Sequence, residues 1–132
     1  MKTIQEVVEL LKAGKYEDAK IELEKIISIK KDDFQAHHVL GVVFAKLNDF
    51  DKAIDNLNLS VKINPENKGA YFELGNIYRM QNNINESKNN FLNALNIDPN
   101  FIEAHISLAK INESENNILE TNKIYQKALS IN

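Results

Sequence analysis

Cysteine and tryptophan are missing from this 132-residue chain, and only two prolines and four glycines interrupt it. Without cysteine there is no disulfide, no thiolate metal site and no cysteine nucleophile. Four glycines, each at a turn or a repeating position, leave no material for a phosphate-cradling loop. Charge of one sign is lacking too: sixteen Lys and Arg face nineteen Asp and Glu, for a net charge of -3. A nucleic-acid backbone would need a basic stripe, so no nucleic-acid partner is expected. Long apolar runs are also absent. The N-terminus, MKTIQEVVELLKAGKYEDAK, meets charge within six residues and offers nothing long enough for a signal sequence or a membrane span. A cytoplasmic location without membrane insertion is therefore expected.

What the chain has instead is repetition. Pro65 and Pro99 are 34 residues apart, as are Gly41 and Gly75, and Leu40, Leu74 and Leu108 follow at the same interval. So do Asn48, Asn82 and Asn116, and Ile29, Ile63, Ile97 and Ile131. A period of this length marks a stacked repeat rather than a single irregular core. Asparagine is abundant from Asn48 onward, but it interrupts a preserved apolar pattern instead of replacing it.

Within each unit the apolar residues recur at helical spacing and never alternate as in a half-buried strand. Ala36, Leu40, Val43, Phe44 and Leu47 make one stripe; Phe50, Ala53, Ile54, Leu57, Val61 and Ile63 make the next. The following unit repeats this with Ala70, Leu74, Ile77 and Tyr78, then Ile84, Phe91, Ala94, Leu95 and Ile97. Between stripes stand Gly14, Asn48-Asp49 and Asn82-Asn83, residues that accept left-handed backbone angles at a helix end. Pro65 and Pro99 stop the second helix of a unit, because proline lacks an N–H. Gly41, Gly75 and Ala109 share one position, where a glycine costs about 1 kcal/mol relative to alanine. Close approach of the paired helix offsets that cost. Ala19 and Ala53 face it, with Ser87 and Thr121 as slightly larger equivalents.

These residues resemble the tetratricopeptide repeat family. The best-matching stretch runs from Ala36 to Pro99 and includes Leu40-Gly41, Phe44, Ala53, Leu57, Pro65, Tyr71, Leu74-Gly75, Tyr78, Phe91 and Ala94. The ends depart from the pattern: Glu6-Val7 replaces Leu-Gly, Lys31 replaces a proline, and Asn112 stands where an aromatic is usual. Such departures suit terminal units, which pack on one side only. The resemblance implies an all-α, right-handed superhelical solenoid forming one array. Its four units span about 1–33, 34–67, 68–101 and 102–132. Eight antiparallel helices are expected, at about 3–13, 16–29, 34–47, 50–63, 68–81, 84–97, 102–115 and 118–131.

No catalytic constellation emerges. His37, Tyr71 and His105 occupy one repeating slot and are expected to pack, because a zinc site needs further converging ligands. Asp32-Asp33 precedes a helix start, where carboxylates cap free N–H groups, and Glu113 with Glu115 lies on a polar terminal helix. Phe44, Tyr78, Tyr16, Phe50, Phe91 and Tyr125 share core positions. The chain is expected to be non-catalytic, with no cofactor and no metal.

Family resemblance places the binding groove on the first helix of each unit. One row there is Ile4, His38, Phe72 and Ile106; the next is Val8, Val42, Asn76 and Lys110; the third is Leu11, Ala45, Arg79 and Glu113. Some members clamp a chaperone's terminal carboxylate with Lys and Asn in these rows, a task needing several cations and amides on one carboxylate. Here only Asn76 survives among Ile4, Val8, Val42 and Phe72. The expected partner is therefore another protein, through an apolar or amphipathic peptide or helix. His38, Val42, Phe72, Asn76, Arg79, Ile106 and Lys110 are the expected contacts. Two other uses fit the same repeat. One is end-to-end self-assembly through the final helix with Leu119, Leu129 and Ile131, opposed by the polar Asn122 and Gln126 at positions that Ile54 and Leu92 hold elsewhere. The other is a docking module cut from a larger protein.

Overall fold

The structure is a computed structural model describing residues 1–130. The side chains of Glu120, Thr121 and Ala128, and residues 131 and 132 entirely, lie outside the described residues, as do the expectations placed on Thr121 and Ile131. The described chain is helical: α1 (Ile4–Lys12), α2 (Tyr16–Ile29), α3 (Phe34–Lys46), α4 (Phe50–Ile63), α5 (Lys68–Met80), α6 (Ile84–Ile97) and α7 (Ile102–Ser130).

Local chemistry sets the helix starts. Thr3 and Glu6 form a reciprocal capping box on α1. The Asp33 carboxylate accepts the Ala36 N–H at 3.1 Å, and Asp49 and Asn67 do the same for Lys52 and Ala70, each at 3.3 Å. The turns inside units follow one design. Gly14, Asn48 and Asn82 sit at φ 77°, 64° and 62°, and the next N–H returns to a carbonyl five residues back. Those bonds are Lys15 to Leu10 (2.9 Å), Asp49 to Phe44 (2.9 Å) and Asn83 to Tyr78 (2.8 Å).

The fourth unit breaks that design. Eight helices are expected from the repeat, but the described residues hold seven, because α7 runs straight through Asn116 and Asn117. A left-handed residue other than glycine costs about 1–2 kcal/mol. In units two and three, two well-packed apolar stripes offset that cost. Here Asn112 replaces the core aromatic that Phe44 and Tyr78 supply just before the turn, and Asn122 and Gln126 dilute the second stripe, so helix continuation wins. Two local expectations fall with the turn: Ala109 is exposed instead of meeting a paired helix, and Tyr125 is 66% exposed instead of buried.

Elsewhere the pairs pack closely. Phe91, Leu57, Leu23, Leu74 and Ile77 are essentially fully buried. One core runs from Val7 through Leu40 and Leu57 to Ile77. A second gathers Phe91, Ala104 and Ile111, with Phe72, Ile84, Leu95, Phe101 and Leu108 against it. Successive first helices touch, α1 on α3 and α3 on α5, whereas α2, α4 and α6 have no comparable packing on one another. The stack therefore curves, with α1, α3 and α5 on its inner side.

At Gly75 an added Cβ would stand 2.6 Å from Cε1 of the buried Phe91 ring, and at Gly41 2.6 Å from Leu57 Cγ. Overpacking of this kind costs about 1–3 kcal/mol, more than the roughly 1 kcal/mol that alanine gains over glycine in a helix. Gly75→Ala is expected to destabilise the fold by up to about 2 kcal/mol net, read as a lower urea midpoint. A raised midpoint would mean that α5 and α6 stand further apart.

Candidate functional site

Seven residues expected at the groove distribute over three helices: His38 and Val42 on α3; Phe72, Asn76 and Arg79 on α5; Ile106 and Lys110 on α7. The five on α3 and α5 are half-buried, and Ile106 and Lys110 are exposed. At the other end Ile4 and Leu11 pack against the core, so they contribute less free surface than the sequence rows suggest.

His38 is tied into the junction between units. Its Nδ1 lies 3.2 Å from the Asn67 side-chain amide, which also donates to Ser60 Oγ at 3.0 Å. That geometry suits a ring unprotonated at Nδ1, and burial pushes its pKa below the ordinary histidine value. Phe72 differs from its expected role as an open groove residue. Its ring packs against Phe91 and Phe101, at centroid distances of 5.6 and 5.1 Å. Register alone could not show this, because Phe101 lies in the linker before α7. Lys68 lies over the Phe101 ring at 5.2 Å while pairing with Asp98 at 2.5 Å. That bond, with the Asn100 N–H, holds the Asp98 pKa below the usual carboxylate value.

Arg79 and Lys110 come together in a cleft of about 300 Å³, whose walls include Asn82, Ile84, Ile111 and Ile118. Ser114 and Glu115 complete the lining, the latter paired with Lys88, so two cations beside three isoleucines are left to receive an apolar side chain flanked by a carboxylate. Sequence rows placed both cations on the groove face, but the cleft itself depends on α7 carrying Ile118 onward in line with Ile111. Glu73 was missed. It stands in the slot of Val39 and Ser107, and a carboxylate at an apolar or small position was the available signal. Burial raises its pKa and nearby Lys46 partly opposes the shift.

The histidine slot is structural. His37 Nε2 lies 2.8 Å from the Lys31 carbonyl, and His105 Nε2 lies 2.7 Å from the Pro99 carbonyl, six residues upstream in each case. Both tie a helix to the linker that precedes it, although His37 is buried and His105 exposed. Among the described residues no group of three His, Asp or Glu side chains is placed to hold a metal ion, and no helix is long and apolar enough to cross a membrane.

Comparison with known proteins agrees with this geometry. A family model described as "Tetratricopeptide repeat" matches residues 34–67 and one described as "TPR repeat" matches 75–114, together more than half of the chain. No curated protein matches the chain in sequence. Among solved structures, MamA is similar at 23% identity and TM-score 0.78, covering 97% of this chain and 77% of its own. The Yersinia enterocolitica type III secretion chaperone SycD, in complex with a peptide of the translocator YopD, is similar at 15% identity and TM-score 0.78. That match covers 85% of this chain and 91% of SycD. The first TPR of Spaghetti (RPAP3), bound to the HSP90 peptide SRMEEVD, is similar at 24% identity and TM-score 0.78, covering 83% and 87%.

Glu73 and His38 give opposite pH dependences. Glu73, with a raised folded pKa, contributes stability that is present below the ordinary carboxylate pKa and lost as pH rises through the raised value. Glu73→Gln is therefore expected to melt above wild type at pH 7, with the gap closing toward pH 4; a pH-independent gap would refute burial as the cause. His38, with a lowered folded pKa, contributes stability that is present above its ordinary pKa and lost as pH falls through the lowered one. Between pH 7 and pH 5, His38→Gln is expected to lose less Tm than wild type.

Proposed function

This chain belongs to the tetratricopeptide repeat family, and on that premise we propose that it is a non-catalytic adaptor binding an apolar or amphipathic peptide or helix along its inner face. The observation that carries this is the arrangement on α3, α5 and α7: Val42 and Ile106 present apolar surface, and Arg79 and Lys110 converge on one cleft beyond it. Apolar contacts supply the affinity, while Asn76 and the two cations fix direction by bonding the partner's carbonyls or a carboxylate. SycD and RPAP3 carry peptides in their solved complexes, which supports a peptide as the class of partner. The balanced charge speaks against nucleic acid, and the lack of cysteine suits a cytoplasmic setting.

Phe72 is a poor residue for testing this, since its ring supports Phe91 and Phe101. Val42→Glu with Ile106→Glu alters the face with less disturbance of the core. Peptides selected on wild type by display are expected to bind the double variant at least about tenfold more weakly by fluorescence anisotropy, since each 1.4 kcal/mol is a factor of ten. Arg79→Glu should weaken acidic peptides more than neutral ones. Undiminished affinity in the double variant, with its helical spectrum intact, would remove the inner face from consideration.

A further inference from the structure

On the inner side, α5 turns a different flank toward each of its neighbours. Phe72 and Arg79, about two turns apart, share the flank toward α7: the Phe72 ring meets Phe101 just before that helix, and Arg79 shares its cleft with Lys110. Gly69 and Glu73, one turn apart, share the other flank. That flank faces α3, because a Cβ added at Gly69 would stand 2.9 Å from Cε1 of His38. Glu73 thus puts a carboxylate at the junction of the second and third units, in the slot that Val39 and Ser107 hold elsewhere. Among the described residues nothing uses this carboxylate: it accepts no hydrogen bond and forms no ion pair, and Lys46 on α3 acts on it only through space. Lys46 is itself exposed, so its ammonium stays hydrated. Glu73 is half-buried, yet neither of its oxygens is sealed from solvent. The group is both partly desolvated and within reach, and burial raises its pKa. A charge kept at a cost to the fold, with no internal partner, is the kind of departure that binding sites show.

We propose that Glu73 is a specificity-determining residue of the inner face, receiving a lysine or arginine side chain of the bound peptide. The inference rests on the peptide-binding reading above and gives that peptide a charge pattern. The partner's alkyl stem lies on the apolar surface that Val42 presents, and its cation supplies Glu73 with the counter-charge that the fold does not. Arg79 and Lys110 lie on the opposite flank of α5, toward the other end of the array. The peptide therefore carries its basic residue toward the second unit and its acidic one toward the fourth. Opposite charges at the two ends of one track admit a single chain direction, since reversal sets like charge against like at both.

The test is peptide selection by display on wild type and on Glu73→Gln. Wild type is expected to enrich Lys or Arg at one peptide position, and Glu73→Gln, whose fold is expected to be at least as stable, to lose that enrichment. A selected peptide and its analogue with norleucine at the basic position then close a double-mutant cycle, read by fluorescence anisotropy. Either change alone is expected to weaken binding at least about fivefold, and both together no further, because each removes the same contact. Glu73→Lys is expected to enrich Asp or Glu at that position, an exchange that a merely structural Glu73 would not produce. Peptides with no preferred cation, or with one that Glu73→Gln leaves untouched, overturn the role of Glu73; the adaptor reading then survives if Val42→Glu/Ile106→Glu still weakens them. Peptides indifferent to Val42→Glu/Ile106→Glu, or failure to select any, overturn both.

Discussion

Everything in this molecule depends on how closely two helices of one unit approach each other. Gly41 against Leu57 and Gly75 against Phe91 leave no room for a single added carbon. That proximity fixes the turn lengths, because only a left-handed residue at Asn48 or Asn82 reverses the chain quickly enough to keep the stripes in register. It also fixes the inner face. With the large side chains of α4 and α6 seated on glycines, the residues one step round α3 and α5 are turned toward the concave side.

The inner units were legible in the sequence because every level agreed there: period, stripe, turn residue, small residue and terminating proline all predicted the same helix pairs. The fourth unit was not, because its levels disagree. Asn116 promises a turn and Ile118, Tyr125 and Leu129 promise a stripe, but Asn112 withdraws the aromatic and Asn122 and Gln126 thin the packing. A periodic pattern registers the first group easily and cannot weigh the second against the cost of left-handed backbone. The candidate site was legible in the same uneven way. Placement of Arg79 and Lys110 on the inner side followed from register. The aromatic group of Phe72, Phe91 and Phe101 did not, since one member comes from a linker, and nor did the burial of Glu73, which depends on the packing of neighbouring helices rather than on spacing.

Inner and outer surfaces are consequently governed by different rules. Residues that face the paired helix are held apolar and out of water by contact, as the buried Leu23, Leu57 and Phe91 are. Those on the concave side vary freely, from His38 to Phe72 to Ile106 at one position and from Val42 to Asn76 to Lys110 at another. Variation at fixed spacing lets one scaffold display a run of chemically distinct contacts along a line.

Asn67 joins these two worlds. Its side chain caps α5 at Ala70, donates to Ser60 near the end of α4, and donates to His38 on the inner face. Ser60 in turn donates to the Phe34 carbonyl at the start of α3. One chain of hydrogen bonds therefore runs from the inner face at His38 through the joint between the second and third units to the start of α3, so the position of that ring and the angle of that joint are set together.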